Sequence, residues 1–137
     1  MKSMLACGIL CLLLTAGCNV NTPAPPGGPV SFATQVQPLL ADKCSACHQP
    51  GGLANSAGVA MDLRASATPA SIVNQKSSLN NSLTLVIPND AANSLLYRMV
   101  TESNPPVGVR MPPGFSPLSA TELGLIRDWI NQGAQNN

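Results

Sequence analysis

Aromatic residues are scarce in this chain: two Phe, one Tyr and one Trp in 137 residues. Hydrophobic residues make up 45% of it, so a core is available. With only Phe32, Tyr97, Phe115 and Trp129 as large flat side chains, that core is thin unless something else fills it. Charge is scarce too, at 9% of residues, and Lys and Arg nowhere cluster. Nucleic-acid binding through a basic patch is thereby excluded, as is a strongly charged disordered tail. Histidine occurs once, at position 48. No apolar run approaches the roughly 20 residues that span a bilayer as a helix.

The longest apolar run is MLACGILCLLL, residues 4–14, preceded by Lys2. Its length suits the apolar stretch of an export signal, so residues 1–17 read as a signal peptide. Thr15-Ala16-Gly17-Cys18 follows, small residues placed before a cysteine. This resembles a bacterial lipobox, with Thr15 where leucine is usual, and implies cleavage before Cys18 and lipidation of it. Ordinary secretion would instead leave an unpaired thiol in an oxidising compartment. Several acyl chains would hold the chain firmly on a membrane where one chain binds marginally. Without Lys2, six basic and six acidic side chains remain, a net charge of zero. Residues 19–29 (NVNTPAPPGGP) are rich in proline and glycine and read as a tether, reaching at most about 35 Å at ~3.1 Å per residue. Three segments result: a signal peptide 1–17, a lipidated terminus and linker 18–29, and one small domain 30–137.

Within that domain the only cysteines are Cys44 and Cys47, in Cys44-Ser45-Ala46-Cys47-His48. This is the C-x-x-C-H spacing of c-type haem attachment. Two thiols three residues apart on a helical turn reach the two vinyl groups of one haem edge, and the next residue lies under the iron, where an imidazole binds axially. Three other readings stand beside it. Structural zinc needs four ligands, and only Cys44, Cys47 and His48 are at hand. A thioredoxin-like pair needs a βαβ context that the sequence does not offer. A plain Cys44–Cys47 disulfide is the third. A haem would also supply the flat apolar filling that the core lacks.

Met61, Met99 and Met111 are the methionines outside the signal. Met111 lies in Val109-Arg110-Met111-Pro112-Pro113-Gly114, where prolines stiffen the loop that would hold a weak thioether ligand. Met99 sits in an apolar helical segment and reads as core, and Met61 in an alternating stretch reads as packing. Together with Phe32…Val36-Gln37-Pro38-Leu39-Leu40, Val86-Ile87-Pro88-Asn89-Asp90…Ser94-Leu95-Leu96-Tyr97 and Leu118-Ser119…Glu122…Ile126…Trp129-Ile130…Gly133-Ala134, these motifs resemble the monohaem cytochrome c domains of bacterial envelope proteins. Asn89 stands where that family usually has glycine. The resemblance implies an all-α, cytochrome c-like fold of four or five short helices and long loops around one covalent haem c. It implies His48 and Met111 as the axial iron ligands. Arg110, beside the ligand, is a candidate contact for a haem propionate, with a solvated arginine as the plainer alternative.

The element pattern agrees with a helical domain. Ser31 can cap a helix carrying Phe32, Val36, Leu39 and Leu40, bent at Pro38. Residues 49–58 read as loop, and Pro50 either offers its carbonyl to the His48 ring or is a plain turn proline. Thr68-Pro69 opens a short helix with Ile72 and Val73. Residues 83–87 form a buried apolar run. Asp90 caps a helix reaching Val100, and residues 101–117 form the loop carrying Met111. Ser119 and Glu122 form a capping box before a helix with Leu123, Ile126, Trp129 and Ile130 on one side, ending near Gly133. The first and last helices are expected to pack together, with Trp129 in the core.

The function this implies is electron transfer in the bacterial envelope. The chain would be an electron carrier rather than an enzyme. It would be a monomer, lipid-anchored on the periplasmic side, meeting redox partner proteins through an uncharged surface, without steering by net charge. Asn19 after the lipid cysteine, rather than aspartate, points to the outer membrane by resemblance to other bacterial lipoproteins. The alternatives are a five-coordinate haem enzyme or gas sensor, and a non-haem surface lipoprotein with a Cys44–Cys47 disulfide.

Overall fold

The computed structural model describes residues 28–137. The expected signal peptide, Cys18 and the expected tether up to residue 27 lie outside the described residues. Among the described residues the regular structure is helical, with four α-helices: α1 (Gln37–Lys43), α2 (Leu53–Ser56), α3 (Leu95–Thr101) and α4 (Ala120–Asn131). No strand forms among them, only the isolated bridges Val73–Val86 and Lys76–Thr84. None of their helices is long and apolar enough to cross a membrane.

The chain enters through Ser31, whose Oγ accepts from the Thr34 N–H at 3.3 Å. The turn Phe32–Val36 is π-helical and runs directly into α1. Pro38 explains the change: it has no N–H to give to Thr34, so the ladder shifts register just before it. Helix α4 opens with the expected capping box, Ser119 and Glu122 each bonding the other's backbone N–H. Its apolar side buries Ile126, Trp129 and Ile130 completely. Phe32 packs on Trp129 with ring centroids 5.1 Å apart, and the indole N–H donates to the Gln135 carbonyl at 2.9 Å. The two ends of the domain are thus clasped, and Trp129 is core, as expected.

Three expectations need correction. Residues 49–58 are not all loop, because α2 forms at residues 53–56. The helix after Thr68 is a single 3₁₀ turn, Pro69–Ser71. Val73 is drawn instead into its bridge with Val86, a better place for a β-branched side chain. Asp90 does not start α3. Its carboxylate caps its own turn by accepting from the Asn93 N–H at 3.1 Å, and Ser94 stands at the helix N-cap. Asn89 adopts the left-handed conformation at φ +66° and donates its N–H to the Ile130 carbonyl at 2.8 Å. Asparagine tolerates that backbone, so the turn forms without glycine.

Candidate cofactor site

The gap left by the thin core is a cavity of about 880 Å³ between α1, α2, α3 and the loop before α4. That is within the range of ~300–1,000 Å³ typical of small-molecule and cofactor sites. Cys44, Cys47, His48 and Met111 all line it. Four residues picked out by spacing and loop chemistry, spread over 68 positions of chain, therefore meet on one void. The rest of the lining is largely aliphatic, with Leu85, Leu95, Leu96, Val100 and Leu118 among it.

The motif is held by short-range hydrogen bonds. Helix α1 ends as the Cys44 N–H donates to the Leu40 carbonyl at 2.9 Å, and the His48 N–H then donates to the Cys44 carbonyl at 2.9 Å. The His48 carbonyl accepts from Leu63, and the Cys47 carbonyl from Ala54 at the start of α2. The chain thus wraps the motif from both sides. The two thiols are free. Burial pushes the Cys44 thiol up to about 11, with Asp42 and then Cys47 adding to the effect, so it is uncharged at neutral pH. His48 is buried, and burial lowers its pKa. The neutral ring is the form with a lone pair to give a metal. Its Nδ1 has no hydrogen-bond partner. Of the two readings of Pro50, the plain turn proline holds and the bond to the His48 ring is not made: Pro50 is exposed, in a turn closed by the Gly52 N–H and the Gln49 carbonyl.

Met61 and Met99 line the same cavity as Met111. Met61 also packs against the core, as expected, so packing and lining the cavity coincide there. Arg110 is not among the lining residues: its Nε donates to the Val100 carbonyl at 3.2 Å. At the rim, Lys43 lies 2.9 Å from Asp42 and 3.8 Å from Glu122, and its hydrogen bond to Asp42, then the attraction of that carboxylate, raise the Lys43 pKa. Leu53 and Phe115, 76% and 75% exposed, complete the mouth. Sequence reasoning passed over both. The available signal was a lone large apolar residue in each of two Gly/Pro-rich loops, with no periodic partner to explain it.

The residues fit the haem that the sequence implies: two thiols with C-x-x-C spacing, a buried neutral imidazole with an orphaned nitrogen, a thioether and an apolar void. Among the described residues no group of three or more His, Cys, Asp or Glu side chains is placed to hold a metal ion by itself. Compared with protein-family models, curated proteins and solved structures, the chain matches none.

Proposed function

We propose that this domain is a cytochrome c-like electron carrier with one covalent haem c, exported and lipid-anchored through Cys18 on the periplasmic side of the envelope. One observation carries the reading: Cys44, Cys47, His48 and Met111 line a single apolar cavity of about 880 Å³. When bound, the haem supplies reversible one-electron chemistry at iron. Cys44 and Cys47 would hold it, each thiol adding across one vinyl group, sulfur to one carbon and hydrogen to the other. A Cys44 thiol that stays protonated is a poor nucleophile, which accords with attachment by a dedicated system during export. His48 and Met111 would hold the iron, and a histidine–methionine pair would raise its potential. The aliphatic walls would keep water from the iron, and the apolar rim at Leu53 and Phe115 would leave a surface for redox partners.

The test is the visible spectrum of the mature protein, oxidised and then reduced, after expression with a haem-attachment system. A low-spin c-type spectrum with a methionine–iron charge-transfer band is the expected result. Haem without that band would favour a five-coordinate enzyme or sensor, which carbon monoxide binding to the reduced protein would establish. Denatured chain that shows no haem stain would overturn the reading.

A further inference from the structure

The last turn of α3 leaves carbonyls that no residue of the helix can satisfy. Three of them are taken up in an ordered way. The Arg98 carbonyl accepts from the Glu102 N–H at 2.9 Å, closing the helix. The Met99 carbonyl accepts from the Met111 N–H at 2.8 Å, and the Val100 carbonyl accepts from Arg110 Nε at 3.2 Å. The loop carrying Met111 is therefore docked on the end of α3 by two consecutive residues bonding two consecutive carbonyls. One of these bonds comes from a cationic donor, the stronger kind. Arg110 is half-buried, whereas its neighbours Gly108 and Val109 are exposed, so the docking point starts at Arg110. Val100, whose carbonyl it holds, also lines the cavity.

We infer that Arg110 is a positioning residue for Met111, clamping the methionine loop to α3 so that the thioether is held over the cavity. This deepens the proposed haem reading and rests on it. It replaces the propionate contact expected for Arg110 with a contact inside the protein. A methionine–iron bond is weak, so the loop's tendency to open decides how readily another ligand takes its place. Loss of one charge-assisted hydrogen bond makes such opening about tenfold easier.

The experiment uses the haem-loaded chain in four forms: wild type, Arg110→Ala, Arg110→Lys and, as a control, Arg127→Ala. Arg127 pairs with its neighbour Asp128 on α4. Two local readouts are taken, hydrogen exchange at the Met111 amide in the reduced state and imidazole affinity of the ferric state. Denaturant unfolding of each form is measured alongside. Arg110→Ala is expected to speed Met111 exchange and tighten imidazole binding by about tenfold each, beyond any change in global stability. Arg110→Lys should recover part of both, and Arg127→Ala should match wild type. Unchanged exchange and imidazole affinity in Arg110→Ala would overturn the clamp while the haem reading stands. So would a shift in reduction potential alone, which would favour direct contact with the cofactor. A wild-type chain without covalent haem would overturn both, because no ligand would remain to be positioned.

Discussion

A β-carbon built on Gly52 would stand 2.4 Å from the Cys47 carbonyl oxygen, closer than any real contact. The backbone of Gly52 is ordinary, φ −74° and ψ 170°, so space and not conformation demands glycine there. Since the obstacle is backbone of the C-x-x-C-H motif itself, Gly52→Ala must move either α2 or Cys47. It is expected to lower stability by about 1–3 kcal/mol, the usual cost of overpacking, and to reduce haem incorporation, both measurable by denaturant unfolding and haem stain. On the haem reading, Met111→Ala bears on the sixth ligand. It should then keep covalent haem, abolish the methionine charge-transfer band and lower the reduction potential. If the band persists, Met61 and Met99 are the thioethers to replace next, since both line the cavity. That Cys44, Cys47 and His48 line one cavity was legible in the sequence as a motif, because on the haem reading fixed covalent chemistry demands fixed spacing. The choice among methionines was less so, because one type of side chain serves both packing and ligation, and only the hydrogen bonds of the Met111 loop separate it from the other two.

Helix α4 shows why some elements were legible and others were not. It has twelve residues, a capping box and an apolar side whose spacing repeats over three turns. Helix α2 has four residues and no buried side chain, so no periodicity could announce it. The start of α3 was misplaced because Asp90 and Ser94 are both competent caps, and the bond from the Asn93 N–H to the Asp90 carboxylate closes a separate turn first. The cap of α4 gives a prediction with a sign. Bonds from the Ser119 backbone N–H and hydroxyl region hold the Glu122 carboxyl below its ordinary 4.5. A carboxyl depressed in the folded state stabilises it above the unfolded value, and that contribution is lost as pH falls through the folded value. Glu122→Ala should therefore be less stable than wild type at pH 7, and the gap should close as pH drops below 4.5. Thermal unfolding of both chains across that range checks it. Ser119→Ala should cost about 1 kcal/mol at neutral pH, the usual worth of an N-cap.

At the scale of the molecule, the domain is clasped at its two ends and open between them. Phe32 and Trp129 stack, the Val30 N–H donates to Gln132 Oε1 at 2.7 Å, and the Ala33 N–H donates to the Asn137 carbonyl at 2.9 Å. These contacts tie the first helical turn to the residues after α4, but none of them spans the cavity of about 880 Å³. The loops on either side of it, 49–68 and 102–118, carry few buried aliphatic residues of their own, Leu63 and Leu118 among them. On the haem reading, their order would depend on what the cavity holds. A domain of this size is stable by only about 5–15 kcal/mol, so losing the contacts along one whole wall consumes much of that margin. On the haem reading, the chain with Cys44→Ser and Cys47→Ser, made without haem, should keep helical signal from the Phe32–Trp129 end. It should lose a sharp thermal transition and bind a hydrophobic dye through its open loops. Circular dichroism on heating, set beside dye fluorescence, reads both. A sharp, cooperative melt of that variant above ordinary temperature would mean that the protein closes its own core, and the argument from scarce aromatics to a cofactor would fall with it.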